Sequence, residues 1–346
     1  MTCAMLLLWA SVSLSSDPQA KGCLLLVDHS IDRGAGRGLR WSFDDNYLYY
    51  SGISSGGTLA RVQRRSAADV AIEPQATLDE SDAVMTSDGR TILASDRRSI
   101  FIRTVPTLAE TATIRLAGRL LAVSSSGDIC AIANPPRCEV VRVADARVLS
   151  VLDLKSSAAT NGHFLLNNSV LVCITGVNNP IPDLGSASVM YSNISCEPVV
   201  FAALPRLPAR PSVVSTSDRG TLFAVAYPAS EVNPAVAVVD AASGKLRREI
   251  GRANSKHNGI AFSHDGGLIG VCGTLNDDDK SDSAGSRRQT GHIAMYDTRS
   301  WSQIVDVRQE GSAFISMAIA HEQKCFAAID DLGVLRIWRY ESKDNK

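Results

Sequence analysis

Short strands separated by turn clusters, recurring at a nearly constant interval, constrain this chain more than any other feature. From residue 22 onward, runs of about five to eight residues rich in apolar side chains alternate with clusters of Gly, Ser, Asp, Asn and Pro, without a helical pattern of useful length. The leading strands of successive units fall at Trp41, Val84, Leu121, Phe164, Val213, Ile260 and Ile315. Their mean spacing is about 45 residues, the range of arrays built from four-stranded units. An all-β chain of this kind must avoid open sheet edges, and closing the array into a ring with short protected edges is one way to do so.

Counting strands decides between architectures. The seventh unit holds Ala313–Ile319, Cys325–Ile329 and Val334–Tyr340 but lacks a fourth strand, whereas Gly22-Cys23-Leu24-Leu25-Leu26-Val27 is an apolar strand with no hairpin partner beside it. The orphan completes the last unit if the chain closes on itself. Two β-sandwiches would leave both the orphan and the steady period unexplained. The expectation is an all-β, seven-bladed β-propeller of four-stranded antiparallel blades, closed by an N-terminal strand that completes the last blade. Residues 1–21 read as a leader, 22–341 as the propeller and 342–346 as a C-terminal tail.

The two last units carry the most specific motifs. Ile260-Ala261-Phe262-Ser263-His264-Asp265-Gly266 resembles the Phe-Ser-Pro-Asp-Gly signature of WD40 repeats, with His264 in the Pro position, and Tyr296-Asp297 stands where that family has Trp-Asp. Asp330-Asp331-Leu332-Gly333 leading into a strand that ends on Trp338 resembles the close of a WD40 repeat. The resemblance to WD40-like (WD40/YVTN-type) propellers covers about residues 22 to 341. It implies a rigid disc that binds proteins without catalysing a reaction. The hydrogen-bonded His-Ser-Asp-Trp tetrad of the family is mostly missing: Trp338 has Asp330 or Asp331 upstream and Asp96 sits in a comparable turn, but no Gly-His pair leads a unit at the family's spacing.

Charge and cysteine usage remove several function classes. Lys and Arg total 35 against 36 Asp and Glu, for a net charge of −1, so no overall field draws the protein onto nucleic acid or an anionic membrane. The eight cysteines include no C-x-x-C pair, and Cys130, Cys173, Cys272 and Cys325 fall inside apolar strands, where a free thiol acts as a small buried hydrophobe. Residues 1–16 carry no charged side chain, and Met5–Ala10 is too short to span a bilayer. It could form the core of a secretory signal, with Ser13-Leu14-Ser15 as the cleavage region, but the preceding positive residues are missing. A cytoplasmic location is slightly favoured, with an exported or periplasmic one if residues 1–16 act as a signal.

Nucleophile-elbow, phosphate-loop and dinucleotide-binding patterns are absent, and the six histidines form no H-x-x-x-H pair. Thr216-Ser217-Asp218-Arg219-Gly220-Thr221-Leu222-Phe223 resembles the Asp-box of sialidases, but the Thr is one place early and the Trp is replaced; a hairpin turn explains it better. No catalytic residue, metal ligand or cofactor site is therefore assigned. Three consecutive units have long connections between their second and third strands, at residues 176–185, 227–234 and 275–290, which would form a raised wall on one face. The candidate partner-binding residues are Asn179, Asp183, Tyr227, Glu231, Asp277, Asp278, Asp279, Arg287 and Arg288. The acidic run 276–283 lacks the Gly and bidentate Glu of an EF-hand loop, so a solvated loop is the plainer reading. The function these features support is a monomeric, non-catalytic scaffold for protein–protein interaction. A propeller hydrolase of the lactonase or sialidase kind and an exported sensor propeller are the alternatives.

Overall fold

A computed structural model describes residues 19–31, 38–51, 57–64, 70–78, 80, 82–86, 88–153, 158–165, 170–176, 189–193, 213–217, 221–226, 236–243, 245–251, 255–281 and 287–341. Two N-terminal strands, β1 (Gln19–Lys21) and β2 (Cys23–Ser30), precede a series of antiparallel meanders. The first comprises β3 (Arg40–Trp41), β4 (Tyr47–Ser51), β5 (Gly57–Arg64) and β6 (Val70–Thr77). The second is β7 (Asp82–Met85), β8 (Thr91–Ser95), β9 (Ser99–Thr104) and β10 (Glu110–Arg115), and the third β11 (Arg119–Val123), β12 (Ile129–Asn134), β13 (Arg137–Arg142) and β14 (Arg147–Asp153). Next come β15 (Ala158–Leu165), β16 (Val170–Gly176) and β17 (Val189–Asn193), then β18 (Val213–Thr216), β19 (Leu222–Ala226), β20 (Val236–Asp240) and β21 (Leu246–Ile250). The series ends with β22 (Ser255–Phe262), β23 (Leu268–Ser281), β24 (Arg287–Asp297) and β25 (Gln303–Glu310), and with β26 (Phe314–Ile319), β27 (Cys325–Asp330) and β28 (Val334–Tyr340).

The expectation of seven four-stranded blades is corrected by the strand count of the sheets. Six sheets hold the full complement of four strands, one of them with a fifth added, and β15 to β17 form a sheet of three. The propeller thus has six four-stranded blades, not seven. The strand expected at residues 199–202 lies outside the described residues. The period misleads here because it registers leading strands only, so a unit with three strands among the described residues is counted as a full blade.

Ring closure occurs as the orphan strand required. β2 runs antiparallel to β28 from Cys23 opposite Tyr340 to Ser30 opposite Val334, with Leu25 opposite Trp338. It is the outer strand of the last blade, in the order β2-β28-β27-β26. The pairing of β1 was not foreseen: Gln19, Ala20 and Lys21 lie opposite Arg308, Val307 and Asp306 of β25, as a fifth strand on the preceding blade. Gly22 is the pivot between the two pairings. Its φ is +76°, and a Cβ there would collide with the Ile304 carbonyl, so both the turn and the close approach require glycine. The N-terminal segment therefore bridges two neighbouring blades.

The cores lie between blades rather than within one sheet, which explains why inner strands read as unbroken apolar runs instead of alternating. All six residues of β27, Cys-Phe-Ala-Ala-Ile-Asp, are buried. One of their faces packs with Trp41, Leu48, Ala60 and Val62 of the first blade, through Ala327 and Ile329. The other meets Met295, Val305 and Val307 of the preceding blade, through Phe326 and Ala328. Each large side chain removed from water in this way contributes roughly 1.5 to 3 kcal/mol. Cys130, Cys272 and Cys325 are buried, as is Cys138; burial pushes the Cys130 thiol up to about 12. The side chain of Cys173 lies outside the described residues.

Candidate functional site

Alternate turns of a meander emerge at opposite ends of a blade, so two faces must be considered separately. On one, the turns joining first and second strands repeat a single device. Ser42 Oγ donates to Asp44 Oδ1 at 2.6 Å and accepts from Tyr47 N at 3.0 Å. Thr86 does the same with Asp88 and Thr91 N, and Ser263 with Asp265 and Leu268 N. Ser124 and Ser217 accept from Ile129 N and Leu222 N. A hydroxyl that closes the turn while being held by an Asp two residues later is local turn chemistry, which is why Ser/Thr-x-Asp recurs in the sequence. Burial pushes the Asp44 and Asp265 carboxyls up, but these hydrogen bonds outweigh it and keep both below the usual carboxylate range.

The turns also lock to their neighbours. Gly89, with φ +65°, sits so tightly against Ser42 and Phe43 of the first blade that a Cβ would strike the Phe43 amide. Asp45 is fully buried with φ +54° and accepts three amides of the last blade: His321 N at 2.7 Å on Oδ1, and Glu322 N and Gln323 N at 2.9 and 3.0 Å on Oδ2. The first and last blades are thus joined on this face by a carboxylate, in addition to the ring closure at β2.

Upon this ring stands a continuous row of planar side chains. The Arg90 guanidinium lies 4.3 Å above the Phe43 ring, Phe43 and His321 are 6.3 Å apart, and His321 and His264 are 4.9 Å apart. The four residues come from four consecutive blades. Phe43, Arg90 and His264 are exposed and His321 is half-buried. The row offers π faces, one guanidinium and two imidazoles, able to stack on planar groups and to donate and accept hydrogen bonds. Sequence reasoning missed it. The available signal was positional: Phe43, His264 and His321 each follow the first residue of an equivalent turn, in Ser42-Phe43-Asp44, Ser263-His264-Asp265 and Ala320-His321-Glu322.

On the opposite face, residues 276–281 of the stretch read as a solvated loop prove to be strand backbone. β23 and β24 extend as a hairpin, with Asn276 opposite Gln289 and, after a register shift, Ser281 opposite Arg287. Asp277, Asp278 and Asp279 lie on β23 and Arg287 and Arg288 on β24, so the hairpin brings these five candidates together. Asn179, Asp183, Tyr227 and Glu231 lie outside the described residues.

Within the same blade two buried histidines, His257 and His292, are grouped with the half-buried Asp306. His292 Nε2 is 2.9 Å from Asp306 Oδ1, and burial followed by the proximity of His292 lowers the His257 imidazole to about 4. Among the described residues no group of three or more His, Cys, Asp or Glu is placed to hold a metal.

No family model and no curated protein matches the chain. Among solved structures, the β-propeller domain of Cps50 (Swd1) from Myceliophteria thermophila superposes with a TM-score of 0.61 at 10% identity, covering 91% of this chain and 100% of that one. The chain has the WD40-like β-propeller fold. At this identity the likeness establishes architecture alone. Among the described residues, no helix is long and apolar enough to cross a membrane.

Proposed function

We propose that this propeller is a non-catalytic scaffold for protein–protein interaction, with the turn face as its main contact surface. The observation that carries the reading is the row Arg90, Phe43, His321 and His264, spanning four consecutive blades at stacking distances. Its backbone is immobilised beneath it by the hydroxyl-carboxylate turns and by Asp45. Exposed aromatic and Arg side chains on a rigid base are what protein interfaces use as anchors. The β23–β24 hairpin, with Asp277 to Asp279 on one strand and Arg287 and Arg288 on the other, is proposed as a second contact on the opposite face.

Affinity capture from the native source, read by mass spectrometry, tests both surfaces. Wild type is compared with Phe43→Ala/His264→Ala and with a deletion of residues 277–289, after circular dichroism has established that all three are folded. The turn-face variant should lose captured proteins that wild type retains, and the deletion should lose a different subset. Identical profiles for the three proteins would dispose of the scaffold reading.

A further inference from the structure

The outer strands of the blades differ in how their free edges are guarded. β6 carries Glu73-Pro74-Gln75, β10 carries Glu110 and Arg115, and β21 carries Arg247-Arg248-Glu249. Charges and Pro on an edge discourage another strand from pairing there. β25 is covered by β1. Like β10, β14 carries charge only at its ends, but between Arg147 and Asp153 it reads Val-Leu-Ser-Val-Leu where β10 reads Thr-Ala-Thr-Ile. Val148, Leu149 and Val151 are 43%, 37% and 44% exposed, and among the described residues no other strand carries more than one large exposed hydrophobic. In the described sheet β14 is the last strand.

We infer that β14 is a strand-addition edge through which two copies of this chain pair antiparallel. The fold itself shows that the outer edge of a blade accepts a further strand, because β1 pairs with β25 from Asp306 to Arg308. A bulge does not prevent this. Leu149 is skipped in the register with β13, as Ile304 is skipped in the register of β25 with β24, and β1 still pairs with β25 from Asp306, two residues past that position.

The residue order selects a second copy as the occupant. β14 runs Arg, two apolar residues, Ser, two apolar residues, Asp. A two-fold axis near Ser150 therefore places residue 147 of one strand opposite residue 153 of the other in register, an arginine against an aspartate, with apolar positions opposite each other on either side of Ser150. This is the self-complementarity that an isologous contact demands, and opposite charges across an antiparallel pair add to it. A parallel arrangement would place like charges together. One strand pair buries less than the roughly 1,200 Å² of stable interfaces, so the dimer is weak and concentration-dependent.

Sedimentation velocity on the full chain from about 1 µM to about 300 µM reads the association across the range where weak contacts titrate. Wild type should shift from monomer to dimer with a midpoint on the order of 10 to 100 µM. Val151→Lys, which places a charge on the edge, should raise that midpoint at least about tenfold. Arg147→Asp should do the same, and Arg147→Asp combined with Asp153→Arg should restore the wild-type value. A wild-type chain that stays monomeric throughout overturns the inference. So does a dimer whose midpoint is indifferent to Val151→Lys, or a monomeric chain that instead binds an extended heterologous peptide along this edge.

Discussion

Asp45 provides the sharpest test of how the ring is held closed. Its carboxylate accepts three amides from the β26–β27 turn, at 2.7, 2.9 and 3.0 Å, while its own side chain is fully buried. Hydrogen bonds to a charged group contribute about 1.5 to 3 kcal/mol each. The three do not sum fully, because Glu322 is exposed and His321 half-buried, so that water can replace part of what is lost. Asp45→Ala should then destabilise the protein by about 3 to 5 kcal/mol. Asp45→Asn keeps one acceptor oxygen and, like Asp, tolerates the left-handed backbone at φ +54°; its cost should be about 1 to 2 kcal/mol. Asp45→Gly loses all three bonds but relieves backbone strain worth about 1 kcal/mol, which places it between the other two. Urea denaturation followed by tryptophan fluorescence measures the series, since Trp41 and Trp338 are buried in the cores on either side of this junction. The order Asn, Gly, Ala is the diagnostic. If Asp45→Ala lay within about 0.5 kcal/mol of wild type, the three hydrogen bonds would contribute nothing net and the carboxylate would not be a clamp.

His257 and Trp338 allow two further tests. Burial holds the His257 imidazole down at about 4, below the 6.5 of an exposed histidine. Between those values the unfolded chain binds the proton that the folded one refuses, so this group stabilises fully above about pH 6.5 and its contribution falls as pH drops toward 4, by roughly 3 kcal/mol in all. His257→Gln should flatten the pH dependence of the urea midpoint over that window; a slope as steep as wild type would assign the effect elsewhere. Trp338 is fully buried, stacked on Phe326 at 5.0 Å and edge-on to Phe314 at 6.0 Å, yet its indole N–H has no hydrogen-bond partner among the described residues. Trp338→Phe removes an unsatisfied donor along with some contact area, so thermal denaturation should show a loss near 1 kcal/mol, against about 3 to 5 for Trp338→Ala. A Phe variant as unstable as the Ala variant would show that the indole N–H anchors the blade after all.

What could be read from the residues divides along physical lines. Local chemistry was legible: Ser-x-Asp turns declare themselves because the hydrogen bonds span only two to five residues, and Cys325 to Ile329 reads as an inner strand because blades cover both of its faces. Ring closure was legible for a different reason, as a deficit of one strand at the C-terminus and a surplus of one at Gly22 to Val27. Three features escaped because their cause is pairing rather than propensity. β1 is Gln-Ala-Lys, too short for any period, and exists because β25 offers an edge and Gly22 turns the chain toward it. The segment Asn276 to Lys280 has the composition of a solvated loop, and it takes strand geometry because β24 pairs alongside it through Gln289 and Arg287. The count of three strands in the β15–β17 sheet among the described residues stayed hidden because a repeat interval records only where units begin. The row of rings on the turn face is the extreme case. Phe43 and His321 stand at opposite ends of the chain, and only the junction made by β2, β28 and Asp45 sets them 6.3 Å apart. A binding surface built this way depends on closure, so its contact residues leave a trace in sequence only as the same position in separate turns.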